Sequence, residues 1–228
     1  MFRAGAGNPP LSPGARPRYA SRMLLDVADL ACRRGPRLVL DGVRLALGPG
    51  DAVLLRGSNG SGKTTLLRTL AGLARPARGR ATPEAVAYAG HADGLKGQLT
   101  VAENLAFWAR MFGAPGIGAA TGAFALDALL PRRAADLSAG QRRRAGLARL
   151  PLTGRPVWLL DEPTVSLDAE GTAALVRALA AHRASGGAAI VATHAPIDLP
   201  DAAVLDATDF APRGGSGDRH DPFADAIE

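Results

Sequence analysis

The sequence predicts an α/β fold: a parallel-sheet core, an N-terminal antiparallel β subdomain and a helical insert. Three observations predict it. Short apolar runs alternate with stretches of helical period between residues 24 and 205, the pattern of a parallel sheet flanked by helices. One apolar run leads directly into a glycine-rich loop and then a helix, and another ends in two adjacent acids. From about residue 92 to 150 the pattern is mostly helical with no strand between, which marks the insert.

Taken in order, Leu24 to Leu30 and Leu38 to Leu47 alternate like half-exposed strands around a turn at Arg34-Gly35-Pro36. Ala52 to Arg56 is a short buried strand. Thr64 to Leu73 reads as a helix with Leu66, Leu67 and Leu70 on its inner face. Ala85 to Ala89 is another short strand. Residues from roughly Leu99 to Leu150 are read as mostly helical, with Val101, Leu105 and Trp108 at helical spacing. Val157 to Leu160 is a buried strand, Ala169 to Ser185 a helix and Ala188 to Thr193 a strand.

These elements define one domain over residues 23–210. Residues 1–22 form an expected irregular tail, with Pro9, Pro10, Pro13 and Pro17 among Gly, Ala and Arg. That tail has neither the apolar h-region nor the amphipathic period of a targeting leader. Met23 opens the first patterned segment and is expected to be the natural start. Residues 211–228 are rich in Gly, Asp and Pro and are expected to be a flexible tail.

Composition narrows the function classes. Hydrophobic residues make up 47% of the 228, too many for a disordered chain. Cys32 stands alone, which excludes an internal disulfide and any cysteine metal cluster. No apolar run approaches the roughly 20 residues that span a bilayer, so any membrane part belongs to another chain. The formal charge of +6 is carried almost wholly by arginine; the two lysines are Lys63 and Lys96. It fits a solvated basic surface or contact with acidic headgroups, and no motif points to nucleic acid. A lysine inside a glycine-rich loop, in a chain that otherwise uses arginine, suggests a site needing a compact ammonium.

That loop, Gly57-Ser58-Asn59-Gly60-Ser61-Gly62-Lys63-Thr64, fits G-x-x-x-x-G-K-[ST] between a strand and a helix. Its glycines let successive N–H groups turn toward phosphate oxygens, and the following helix adds the positive end of its dipole. Lys63 would bridge the β- and γ-phosphates, Thr64 would coordinate Mg²⁺, and Thr65 continues the contact. A glycine-rich turn with a solvated lysine is the plain alternative; the flanking strand and helix argue against it. Val157-Trp158-Leu159-Leu160-Asp161-Glu162 delivers two acids to the C-terminal edge of the sheet, where nucleotides bind in such folds. Asp161 would hold Mg²⁺, and Glu162 would face the water that attacks the γ-phosphate.

Leu137-Ser138-Ala139-Gly140-Gln141 closely resembles the LSGGQ signature of ATP-binding-cassette proteins. Leu160-Asp161-Glu162-Pro163-Thr164 resembles their extended Walker B, Ser166-Leu167-Asp168 their D-loop, and Thr193-His194 their switch histidine. The resemblance runs from about Leu24 to Leu205 and implies a P-loop NTPase nucleotide-binding domain whose helical insert carries the signature. It further implies that the signature completes the ATP site of a second cassette in a head-to-tail homodimer. His194 would then contact the γ-phosphate and Asp168 would link the two sites. Physically, a helix N-terminus preceded by a serine and opened by Gly140 suits a second phosphate clamp.

Two residues depart from that pattern. The Q-loop glutamine is replaced by His91, with Gln98 as a more distant alternative, and the aromatic that stacks on adenine is replaced by Arg34. A guanidinium also stacks on a base, so weaker base selectivity is expected. Gly90 to Lys96, Leu99-Thr100 and Glu103 to Trp108 resemble the haem-exporter ATPases of cytochrome c maturation, as does the run Arg142-Arg143-Arg144 after the signature. Members are short single cassettes that pair with separate membrane permease subunits, peripheral on the cytoplasmic face of a bacterial inner membrane. The permease is expected to dock near His91 and the Leu99 to Phe112 segment; Phe107, Trp108 and Phe112 either anchor it or pack the insert.

Overall fold

The computed structural model describes residues 23–83 and 85–212. The expectations for residues 1–22 and 213–228 lie outside the described residues. In chain order the elements are β1 (Leu25–Arg34), β2 (Arg37–Leu47), β3 (Ala52–Arg56), α1 (Lys63–Leu70), β4 (Arg78–Pro83) and β5 (Val86–Ala89). Then follow α2 (Val101–Phe112), α3 (Gly118–Ala123), α4 (Ala139–Leu147), α5 (Arg149–Leu152), β6 (Val157–Asp161), α6 (Ala169–Ala184), β7 (Ala188–Ala192) and β8 (Ala203–Asp206).

Two sheets result. β2, β1 and β4 form an antiparallel sheet in that order. The other is parallel throughout, in the order β5-β6-β7-β3-β8. All five residues of β6 and of β7 are buried, as expected for central strands covered on both faces. The strand period of two sends their side chains alternately into two cores. Trp158, Leu160, Ala189, Val191 and Leu54 join α2 and α6 on one face. Val157, Leu159, Ile190, Val53 and Leu55 meet α1 and the antiparallel sheet on the other. Each fully buried leucine or valine in these faces contributes about 1.5–3 kcal/mol.

Two strands escape the sequence pattern. β4 is mostly exposed and reads Arg-Gly-Arg-Ala-Thr-Pro, with no apolar alternation. It is tied to its sheet by backbone pairing with β1 and by charge. Arg78 meets Asp41 at 2.7 Å and Asp29 at 3.3 Å, and Arg80 meets Asp26 at 3.3 Å. β8 is four residues long and closes the parallel sheet at the outer edge of β3.

The α1 helix ends at Leu70 rather than Leu73. Gly72 adopts φ 72°, and the Leu73 N–H turns back to Arg68 O at 2.9 Å. The 99–150 stretch is likewise less helical than its composition suggests. Turns around Gly113-Ala114-Pro115 and between residues 124 and 138 separate α2, α3 and α4, with short 3₁₀ turns at Asp127–Leu129 and Ala134–Asp136. Within it α2 is well specified: Thr100 and Glu103 form a reciprocal capping box. Buried Asn104 fixes the preceding loop through Lys96 N–H, Lys96 O and Thr100 O. Trp108 is half-buried and donates to Gly94 O at 3.2 Å, whereas Phe107 and Met111, one turn apart, are exposed. Packing therefore claims Trp108 and leaves its neighbours open. No described helix is long and apolar enough to cross a membrane.

Candidate functional site

The C-terminal ends of β3, β5, β6 and β7 lie side by side, and each leads into a segment chosen from the sequence: Gly57, His91, Glu162 and His194 respectively. Among them opens a cavity of about 840 Å³. Asn59 to Thr65, Arg34, His91, Asp161, Glu162 and His194 all line it.

The loop after β3 curls around its own lysine. Lys63 is buried, and its Nζ donates to Gly57 O at 2.8 Å and Ser58 O at 3.1 Å. Gly62 begins α1 at φ 100°, and a Cβ there would lie 2.8 Å from Leu40 Cγ, so both conformation and space require glycine. No side chain caps this helix, which leaves its first-turn N–H groups free toward the cavity. With Arg33 and Arg68 also on the wall, this end of the cavity is cationic and suited to phosphate.

Opposite stand the two acids. Asp161 is only 1% exposed, and its carboxylate accepts from Thr64 Oγ1 and from the Tyr88 hydroxyl, both at 3.2 Å. Burial and the adjoining Asp161 carboxylate push the Tyr88 phenol up to about 12, so it stays a donor. The Thr64 and Asp161 oxygens, side by side on the wall, are hard donors that could hold Mg²⁺. Glu162 turns off the strand at φ 47°, an uncommon conformation for a non-glycine residue. Its Oε2 accepts from the His194 backbone N–H at 3.3 Å, and its Oε1 lies 3.4 Å from His194 Nε2. Lys63 Nζ lies 3.0 Å from the same Nε2. Lysine, histidine and glutamate thus form one connected line along the cavity. One imidazole nitrogen cannot donate to Glu162 and accept from Lys63 at once, so Nε2 bonds one of the two at a time.

The signature and D-loop residues stand apart. Leu137 is buried, Ser138 and Ala139 are exposed, Gly140 and Gln141 are half-buried, and none of them lines the cavity. Ser138 caps α4: its Oγ accepts from Gln141 N–H at 3.2 Å, and Gln141 Oε1 accepts from Ser138 N–H at 3.1 Å. Gly140 permits a close approach within this chain, since a Cβ there would lie 2.7 Å from Ser166 O. Asp168 caps α6 through Gly171 N–H at 2.7 Å.

Sequence reasoning missed three residues that organise the site. Tyr88 holds the second oxygen of Asp161. Arg56 ties the end of β3 to Thr193 O at 2.8 Å. Arg143, from α4, reaches the carbonyls behind the two acids. Only the first carried a signal, an aromatic hydroxyl on the strand beside β6.

Similarity to known proteins agrees with this geometry. The family model for ABC transporters matches residues 40–165. The Cytochrome c biogenesis ATP-binding export protein CcmA of Rhodobacter capsulatus is 55% identical over 192 residues, 83% of this chain and 90% of that protein. Its namesake in Ruegeria pomeroyi is 53% identical over 207 residues, 90% of this chain and 100% of that protein. Among solved structures, an ATP-binding subunit of an ABC transporter superposes with TM-score 0.69 at 26% identity, covering 75% of this chain and 79% of the other.

Proposed function

The chain belongs to the ABC transporter family, alongside the cytochrome c biogenesis ATP-binding export proteins, and on that premise we propose that it is the ATP-hydrolysing subunit of a bacterial cytochrome c maturation complex. Its hydrolysis drives haem export, or release of the haem-loaded periplasmic chaperone. The observation that carries the enzymatic part is the line Lys63–His194–Glu162 along a cavity walled by the phosphate loop.

Residues 23–210 act as one nucleotide-binding domain. Gly57 to Thr65 wrap the phosphates, and Lys63 exchanges its loop carbonyls for β- and γ-phosphate oxygens. Thr64 and Asp161 would hold Mg²⁺, which would neutralise phosphate charge when bound. Tyr88 keeps Asp161 aimed from its other side. Glu162 takes the proton of the attacking water, and His194 meets the γ-phosphate from the end of β7. His91 and Arg34 both line the cavity; on this reading His91 takes the Q-loop position and Arg34 the place of the aromatic that stacks on the base.

Ser138 and the start of α4 lie outside the cavity, so a second copy arranged head to tail brings them to the γ-phosphate. Leu137, Ala139, Gly140 and Gln141 shape that face, and Asp168 links the two sites. The exposed Phe107 and Met111 of α2 form the docking face for a separate permease subunit. That arrangement puts the chain on the cytoplasmic face of the inner membrane as a peripheral subunit, with no role for nucleic acid.

Affinity capture of the tagged full chain from its native membrane, with partners identified by mass spectrometry, tests the assignment. The membrane subunits of cytochrome c maturation are the expected partners. Recovery of an unrelated permease instead would overturn the haem assignment and leave the ATPase one standing.

A further inference from the structure

We propose that Arg143 is a positioning residue for hydrolysis: from the helix that begins at the signature, its guanidinium holds the turn that aims Glu162. The inference rests on the assignment of Glu162 as the base.

Arg143 is one of three consecutive arginines; its side chain is 7% exposed and that of Arg144 11%, but Arg143 is the one turned onto backbone carbonyls of the catalytic turn. A buried guanidinium needs acceptors for a fan of five N–H donors. Those acceptors are unusual in being mostly main-chain. Nη2 donates to Glu162 O at 3.0 Å and Asp161 O at 3.3 Å, and Nε donates to Pro163 O at 3.3 Å. Nη1 donates to Gly90 O at 2.7 Å and to the Asp93 carboxylate at 3.3 Å. Three successive carbonyls of the catalytic turn therefore point at one planar cation.

That turn needs holding. Glu162 sits at φ 47°, so the local backbone does not favour the conformation that sends its carboxylate to His194. Arg143 does not line the cavity and so touches neither phosphate nor water; it acts through the backbone behind Glu162. The remaining bonds widen its reach. Gly90 precedes His91 on the cavity wall, and Asp93 adjoins Gly94, whose carbonyl accepts from Trp108 of α2. One side chain thus joins the signature helix, the catalytic turn and the segment beneath the exposed α2 face. A lysine could reach one or two of these carbonyls but lacks the planar fork that reaches all of them.

The test is a double-mutant cycle with Glu162, run on the full chain with its membrane partners. Arg143→Met is expected to lower kcat roughly 10- to 100-fold, the scale of a catalytic group displaced by about 1 Å. KM for ATP should stay within about threefold, because no phosphate contact is lost. In a Glu162→Gln background the same change should cost nothing further, since the group it positions is already gone. Arg143→Lys should fall between wild type and Met in kcat, and it carries the cycle if the Met variant does not fold. Losses that multiply in the double variant, or an unchanged kcat in both Arg143 variants, overturn the proposal. Wild-type turnover in Glu162→Gln alone would instead remove the base assignment, and this inference with it.

Discussion

Replacing Glu162 by glutamine is expected to lower ATP hydrolysis at least a hundredfold, at the low end of the 10²–10⁴-fold range for a general base, while ATP remains bound. The amide keeps the shape of the carboxylate and can still accept from the His194 backbone N–H, so the turn and the cavity survive. What it loses is the ability to take a proton from water. Lys63, Thr64 and Asp161 are untouched, so the phosphates and their metal bind as before. Two copies that close on ATP would then fail to reopen, and an ATP-bound dimer should accumulate. Single-turnover hydrolysis with size-exclusion chromatography reads both effects. Wild-type turnover in this variant would refute the role given to Glu162.

Lys63→Ala should act at an earlier step and abolish tight nucleotide binding. The buried ammonium donates to two carbonyls of its own loop, so its removal loosens the cradle as well as deleting a charge. Hydrogen bonds to a charged group contribute about 1.5–3 kcal/mol each, so losing those to the β- and γ-phosphates should weaken affinity for MgATP on the order of a hundredfold or more. Equilibrium titration with a fluorescent ATP analogue measures this directly, and unaltered affinity would count against the phosphate-loop role of Lys63. The two variants separate binding from chemistry: one holds ATP without cleaving it, the other does not hold it.

Much of this site was legible in the sequence because its parts are local. A glycine-rich loop after an apolar strand, and two acids at the end of another, need only neighbouring residues to be recognised, and β3 and β6 bring them to one edge of the sheet. The strands that were missed obey no such local rule. β4 is held by backbone pairing with β1 and by cross-strand guanidinium–carboxylate contacts that no alternation announces, and β8 is a four-residue edge strand in which Leu205 alone is buried. Arg143 was hidden for a related reason. In a run of three arginines, the letters alone do not say which one reaches the catalytic turn; only the placement of α4 near the end of β6, seen in the bonds from Arg143, decides it. The role of Gly140 was half visible: close approach was expected there, but within this chain the close neighbour is the Ser166 carbonyl. The three aromatics of α2 divided between both expectations: Trp108 and Phe112 are half-buried and stacked on each other, and Phe107 is exposed.

Shared sites between two head-to-tail copies are the central claim, and mixing two defective copies tests it most directly. Ser138→Arg disables the signature on the exposed start of α4, and Lys63→Ala disables the phosphate loop. Each homodimer then lacks both working sites. A mixed dimer regains one, built from the intact loop of the Ser138→Arg copy and the intact signature of the Lys63→Ala copy. ATPase activity of the mixture well above the sum of the two separate preparations is the expected result. A mixture no more active than that sum would mean that each chain's ATP site is complete without the partner's signature, and the head-to-tail arrangement would be wrong.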